Sequence, residues 1–352
     1  MNISKTKDIL DRTYDRENPE AKDLVYLISL ENKDDLTYLF SLADKVRQEY
    51  MGQGILLRGI VEFSNYCRNS CYYCGLNKNN ARLARYKLTI QEIIESVDHI
   101  IKRNIKTVVL QSGECGELDY LWLAEVIKEI RLKFDIAITL SVGEWKEKEY
   151  KSWRDAGADR YLLKIETTDK KLYQSLHPQM NFDNRMRCLE ILRNLSYQVG
   201  TGNIIGLKNQ TLEQIVGDIL FFKSGNFDMV GIGPFIPHPE TKLNFEPKGN
   251  VSLTLKTVAL ARIVTKNAHI PATTALGSVG EEDYRINALK AGANVLMPNF
   301  TPLKYKKLYE IYPNKRCVDE AVGACSFCAE TIASSINRFI DYSKGNSLKG
   351  AM

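Results

Sequence analysis

The sequence predicts an α/β fold: a (β/α)8 barrel of the TIM type, with a helical extension before it and a cysteine-containing extension after it. Three observations point there. Eight short runs rich in β-branched or apolar residues follow one another, longer amphipathic stretches separate them, and the chemically distinctive residues gather at the ends of the runs.

Residues 1–50 show helical periodicity with many charges, as in LVYLISL followed by ENKDDLTYLFSLADKVRQEY, and hold no strand-like run. They are expected to form the N-terminal helical extension. The barrel is expected over residues 51–305, with strands at GIVEFS (59–64), TVVLQSG (107–113), AITLSVG (137–143), RYLLKIE (160–166), VGTGNIIG (199–206), MVGIGPFI (229–236), PATTAL (271–276) and NVLMPN (294–299). Helix-like segments such as TIQEIIESVDHIIKRN, YLWLAEVIKEIRLKF, TLEQIVGDILFFKS and SLTLKTVALARIVTK lie between them. Parallel strands need helical crossovers of this kind, and eight of them can close on themselves; an open doubly wound sheet is the other arrangement the pattern allows. Residues 306–352 form a C-terminal extension with further cysteines, ending in DYSKGNSLKGAM, a polar tail expected to be poorly ordered.

A balance of 48 Lys+Arg against 43 Asp+Glu gives a net charge of +5, with basic residues scattered among acidic ones. This is an ordinary solvated surface and does not suggest nucleic-acid binding. The N-terminus has no apolar signal core and no stretch is apolar enough for a membrane span, so a cytoplasmic protein without a membrane partner is expected. Eight cysteines in a reducing compartment read as metal ligands, reactive thiols or core residues before disulfides.

In a barrel the functional groups collect at the C-terminal ends of the strands. Cys67 follows GIVEFS, Ser112-Gly113-Glu114 follow TVVLQ, Glu166 ends RYLLKIE, and Thr273 and Thr274 lie in PATTAL. Cys67, Cys71 and Cys74 place three thiols within eight residues on the loop after the first of these strands. Soft sulfur ligands select zinc or an iron–sulfur cluster. A structural zinc site wants a fourth ligand, and none is local. Three ligands on a four-iron cluster leave one iron open for substrate chemistry.

The spacing of three residues and then two, with Tyr73 before the last cysteine, resembles the signature of the radical S-adenosylmethionine (SAM) superfamily. The resemblance implies a [4Fe–4S] cluster on Cys67, Cys71 and Cys74 and reductive cleavage of SAM to a 5′-deoxyadenosyl radical. It places the Tyr73 backbone against adenine. Gln111, Ser112, Gly113, Glu114 and Ser141 join it around SAM, with Glu114 toward the ammonium, Glu166 toward the ribose hydroxyls and Arg185 toward the carboxylate. Without the cysteines, Glu166 and Arg185 would read equally well as a rim ion pair. Ser112 stands where many members carry Gly, and Gly202-Asn-Ile-Ile-Gly206 is similar to the superfamily's glycine-containing fifth strand.

Longer stretches narrow the resemblance. EFSNYCRNSCYYCGL, VVLQSGE, LSVGEW, AGADRYLLKIET, DMVGIGPFIPHPET, IPATTALGS and GANVLMPNFTP together resemble the HydE maturases of [FeFe]-hydrogenases, with biotin synthase and methylornithine synthase as broader relatives. The resemblance implies action of the radical at sulfur of a small cysteine-derived iron complex during H-cluster assembly. It also implies a ferredoxin or flavodoxin as reductant and the HydG and HydF maturases as partners. Arg160, Lys164, Thr273, Thr274 and Ala275 would then form the anion-binding, small-molecule end of the cavity. Lys164 stands where Arg is expected and Ile165 where some relatives carry His, so the charge survives without bidentate binding. An amino-acid substrate, as for methylornithine synthase, or a non-catalytic iron–sulfur carrier are the competing readings.

Cys317, Cys325 and Cys328 form a second group with gaps of seven and two residues. The resemblance allows a second iron–sulfur cluster there; a zinc site with an external ligand or unoccupied thiols are the other readings. Cys115 and Cys188 read as small core residues. The isolated His99, His177, His238 and His269 read as local hydrogen-bonding groups, His238 alone being placed near a cavity rim. Trp122, Trp145 and Trp153 read as packing.

Overall fold

The computed structural model describes residues 3–116, 118–321 and 324–349, leaving aside the side chains of residues 3, 4 and 324–327. Its strands are β1 (Gly54–Leu57), β2 (Gly59–Ser64), β3 (Thr107–Ser112), β4 (Ala137–Ser141), β5 (Arg160–Leu162), β6 (Gln198–Ile205), β7 (Met229–Pro234), β8 (Val295–Leu296) and β9 (Phe339–Asp341). Strands β2 to β7 pair in chain order as one parallel sheet, and β1 pairs in parallel with β8 and β9. The chain begins with α1 (Ile3–Asp15), α2 (Ala21–Ile28) and α3 (Lys33–Met51). Crossovers between β2 and β7 run through α4 (Ile90–Ile101), α5 (Tyr120–Lys133), α6 (Glu147–Ala156), α7 (Lys170–Leu176), α8 (Phe182–Asn194) and α9 (Leu212–Ser224). Beyond β7 come α10 (Val251–Thr265), α11 (Thr274–Ser278), α12 (Arg285–Lys290), α13 (Leu303–Lys306) and α14 (Ala324–Ser335).

The N-terminal helices are part of the wall. From Thr254 to Thr265 α10 is buried on every side, because α2, α3 and α9 cover the faces that β7 leaves open. Leu39, Ala43 and Val46 of α3 belong to the same apolar core as the strands. Burial of Leu39 or Val46 contributes about 1.5–3 kcal/mol each.

The expected seventh strand, PATTAL, is not a strand. Pairing shrinks there to the bridges Met229↔His269 and Pro271↔Val295, and Thr274 already opens α11. Pro271 has no N–H to donate, so the hydrogen bonds fall to its neighbours. His269 N reaches Asp228 O at 2.9 Å, Ala272 N reaches Val295 O at 2.9 Å, and Asn294 N reaches Ile270 O at 2.9 Å. At the other seam a single bridge, Ile60↔Asn299, joins β2 to the segment after β8. The eight units follow a barrel path, but the ladder is not continuous around the ring.

The tail also differs from expectation. Strand β9 pairs with β1, and the residues after it plug the N-terminal floor of the barrel. The Arg160 guanidinium donates to Lys344 O and Asn346 Oδ1, both at 2.8 Å, and Thr107 Oγ1 donates to Lys344 O at 2.9 Å. His269 Nε2 meets Asn346 O at 3.1 Å, and Ser347 N donates to Gln198 Oε1 at 3.0 Å. A polar sequence orders here because buried cations and strand-end amides need acceptors.

Candidate functional site

The site grows from the long loop between β2 and α4. Asn65 opens it: its Nδ2 donates to Ala84 O at 2.8 Å and Leu308 O at 2.7 Å, while its Oδ1 accepts from Tyr86 N at 2.8 Å. Arg85 clasps the inside of the loop, donating to Asn65 O at 2.6 Å, Leu76 O at 2.9 Å and Asn77 O at 2.7 Å. Gly75 lies so close to Glu310 O and His238 that a Cβ would stand 2.2 Å and 2.5 Å from them. Within this frame the Cys67, Cys71 and Cys74 thiols are held inward. Burial pushes the Cys67 thiol up; burial and then its two neighbours push Cys71 well up; burial and then Cys67 push Cys74 to about 12.

Two Gly-Glu pairs close the next strands. A Cβ on Gly113 would meet Tyr66 O at 2.4 Å and Cys67 Cβ at 2.9 Å. Gly143, with φ +85, lies where a Cβ would stand 2.4 Å from Glu114 Cγ. Glu114 accepts from Arg68 Nε and Nη2 at 3.1 and 2.9 Å, and from Glu144 N at 2.8 Å. Glu144 in turn accepts from Arg185 Nε at 2.6 Å and from Asn184 Nδ2 at 2.6 Å. Burial opposes the charge of Arg185, but Tyr173, Glu144 and Glu114 outweigh it and its pKa is raised. Arg68 and Glu144 were not anticipated, although the repeated Gly-Glu after β3 and β4 was a readable signal.

Glu166 ends the fifth-strand segment with φ 63, a left-handed conformation that costs a residue with a Cβ about 1–3 kcal/mol. It bridges to Asn203, and its Oε2 lies 3.0 Å from Lys164 Nζ without the alignment of a hydrogen bond. Opposite, the Tyr73 hydroxyl meets His177 Nε2 at 2.9 Å, and His177 Nδ1 meets Tyr173 O at 2.8 Å. The carbonyl must accept, so Nδ1 carries the proton and Nε2 accepts from Tyr73.

Burial lowers the His177 pKa from 6.5 to about 3. Below pH 6.5 the unfolded chain therefore binds a proton that the folded chain refuses, and stability falls until about pH 3. The expected loss between pH 7 and pH 4 is about 3 kcal/mol. Urea unfolding of wild type and His177→Gln between pH 7 and pH 4 measures it. An equal pH dependence in both would show that His177 does not carry the effect.

One cavity of about 380 Å³, open to solvent, joins these groups. It is lined by Cys67, Cys71, Tyr73, Cys74, Gln111, Ser112, Gly113, Glu114, Ser141, Lys164, Glu166, Arg185, Thr273, Thr274 and Ala275. Arg160 is the exception among the expected site residues. It occupies the N-terminal end of β5, bonded to the tail plug, and does not line this cavity. Four residues of strand separate it from Lys164 by about 13 Å, so alternation gave a direction but the strand end decided the role. Cys317 and Cys328 do not line it, although Cys317 lines a small cavity that shares Glu62, Thr274 and Lys315 with it, and the Cys325 side chain falls outside the described residues. Cys188 is buried against Trp145 O at 3.6 Å, and half-buried Cys115 does not line the cavity. His238, watched as a rim group, is buried behind Gly75 instead.

A model of the radical SAM superfamily matches residues 61–222. The [FeFe] hydrogenase maturase subunit HydE of Thermotoga maritima is 47% identical over 300 residues, covering 85% of this chain and 86% of that one. The chain belongs to the HydE family of radical SAM enzymes. It is accordingly a radical SAM maturase of [FeFe]-hydrogenase, and the family's cofactors are a [4Fe–4S] cluster and SAM. The 3-methylornithine synthase of Methanosarcina barkeri is 30% identical over 80% of this chain and 79% of its own length. The crystal structure of methylornithine synthase (PylB) superposes with a TM-score of 0.80 at 26% identity, covering 95% of this chain and 97% of that one.

The residues present suit the cluster. Among the described residues no three His, Cys, Asp or Glu side chains are gathered closely enough to hold a single metal ion. The ligands of a four-iron cluster each bind a different iron, so the three thiols need not converge on one point. The three half-buried thiols, with Cys71 pushed up by burial and then Cys74 and Cys67, and Cys74 by burial and then Cys67, are relieved when they coordinate iron as thiolates. No helix among the described residues is long and apolar enough to cross a membrane.

Proposed function

We propose that Cys67, Cys71 and Cys74 hold the cluster, and that the radical generated from SAM is delivered to sulfur of a small cysteine-derived iron complex. The observation that carries this reading is the single cavity running from the three thiols to Lys164, Thr273, Thr274 and Ala275. The cluster, when bound, supplies the electron that splits SAM. The chain's own residues bind and orient. The Tyr73 backbone, fixed through its hydroxyl on His177, faces adenine, while Gln111, Ser112, Gly113 and Ser141 line the bed of the cofactor. Glu114 receives the ammonium, Arg185 the carboxylate and Glu166 the ribose hydroxyls, the first two already aligned by Arg68 and Glu144. A pre-set bed of this kind reduces the ordering cost of binding.

Lys164, beside the strained Glu166, stands between the cofactor and the second guest and offers that guest a cation. Thr273 Oγ1 is tied to Ile232 O at 3.2 Å, leaving Thr274 to meet a polar guest. The reducing partner is a ferredoxin or flavodoxin, the maturation partners are HydG and HydF, and the compartment is the cytoplasm. Cys317, Cys325 and Cys328 hold an auxiliary cluster outside the radical route. Lys164→Met is expected to weaken binding of a cysteine-derived anionic ligand by about tenfold or more, while reductive SAM cleavage persists. Separate titrations of SAM and of the ligand decide it: equal loss of both would move Lys164 into the SAM site, and no loss would remove it from the site.

A further inference from the structure

Three ion pairs at the cavity, those of Glu114, Glu166 and Arg185, are accounted for by the cofactor. A fourth is not. Lys315, from the C-terminal extension, contacts Glu62 Oε1 on β2, and Asn299 Nδ2 donates to Glu62 Oε2 at 2.8 Å. Both side chains are almost fully buried, 7% and 4% exposed. Lys315 Nζ has Tyr309 O at 3.4 Å and lies 5.0 Å from the centre of the Tyr309 ring. The pair lines the main cavity together with Thr274, and the same three residues, with Cys317, line a small adjoining cavity of about 30 Å³.

Two charges withdrawn from water for one another's sake add little to stability, and apolar residues would hold the extension to β2 as well. This pair, however, borders open space, at the end of the cavity where the second guest sits in the reading above. We propose that Glu62 and Lys315 form a subsite for the α-ammonium and α-carboxylate of an amino-acid-derived guest. The inference rests on that reading of the guest as cysteine-derived.

Charge balance sets what such a subsite accepts. A zwitterion can exchange partners with the pair: its ammonium meets Glu62, its carboxylate meets Lys315, and every charge stays compensated in the same low-dielectric space. An anion alone would strand Glu62, and a cation alone would strand Lys315. The subsite therefore selects for both groups at once, because a buried charge left unpaired penalises the wrong guest more than any added contact rewards it. Asn299 keeps one oxygen of Glu62 in place while the other changes partner.

The test uses thioethers, which do not attack an iron–sulfur cluster: S-methyl-L-cysteine, 3-(methylthio)propionate lacking the ammonium, and 2-(methylthio)ethylamine lacking the carboxylate. Each is titrated calorimetrically into the reconstituted, SAM-loaded enzyme. S-methyl-L-cysteine is expected to bind at least about tenfold more tightly than either truncated probe, as charged hydrogen bonds of this kind warrant. In Glu62→Gln the advantage over 3-(methylthio)propionate should disappear, and in Lys315→Met the advantage over 2-(methylthio)ethylamine. Because single variants leave a buried charge unpaired and can fold poorly, Glu62→Gln/Lys315→Met, which leaves none, is measured as well and should lose both preferences. Iron content and thermal unfolding report whether each variant is intact. Equal affinity for the three probes in wild type, no measurable binding of any of them, or an unchanged preference in the intact double variant would overturn the subsite. Deoxyadenosine formation is assayed in parallel: its absence beside intact probe discrimination would count against the proposed reaction and leave the subsite standing.

Discussion

Cys71→Ser is expected to abolish deoxyadenosine formation while the barrel stays folded. The Cys71 thiol lines the cavity with Cys67 and Cys74, and burial and then both other cysteines push its pKa well up. A serine hydroxyl there is a poor ligand for iron, which prefers soft sulfur. Loss of an outer-sphere partner commonly costs about 10–100-fold, so loss of a ligand should reduce turnover by at least about 100-fold. The fold should survive because the loop is held by Asn65 and Arg85, neither of which uses the thiol. Iron analysis and a turnover assay after anaerobic reconstitution, with circular dichroism for the fold, make the comparison. Turnover at the wild-type rate would defeat the assignment of the three cysteines.

Arg85→Ala should be nearly as damaging by a different route. Arg85 satisfies three main-chain carbonyls, Asn65 O, Leu76 O and Asn77 O, on both flanks of the cysteine motif. Charged hydrogen bonds contribute about 1.5–3 kcal/mol each, and because Arg85 is only half-buried the expected total is about 2–4 kcal/mol. The loss should be local, lowering iron loading before it lowers helix content. Arg85→Lys should not rescue it, since one ammonium cannot span carbonyls that the planar fork reaches from two nitrogens. Denaturant unfolding and iron content of the two variants measure this. Full iron loading in Arg85→Ala would show that the loop is held by Asn65 and Gly75 alone.

The chemistry of this protein was legible in its sequence because it is carried by local spacing. Three cysteines within eight residues, and glycine followed by glutamate at two strand ends, need no fold to be recognised. Strand positions followed from hydrophobic runs for β2 to β7, which are mostly buried and whose crossovers are long enough to force parallel pairing. What pattern could not supply was decided by partners distant in the chain. PATTAL has strand composition, but a proline without N–H beside a helix start reduces it to bridges. Arg160 and Lys164 share a strand parity, yet one meets the C-terminal tail and the other the cavity, because the two ends of a barrel strand are different places. The tail looked free because it is polar, and it is ordered because buried guanidinium groups on the barrel floor require its carbonyls. Glu62 and Lys315 are separated by 253 residues and neither stands in a motif. The motif was decided by ligand chemistry within one loop; the floor, the ion pairs and the shape of the cavity were decided by tertiary packing, since a buried charge takes its role from whichever group the fold sets against it.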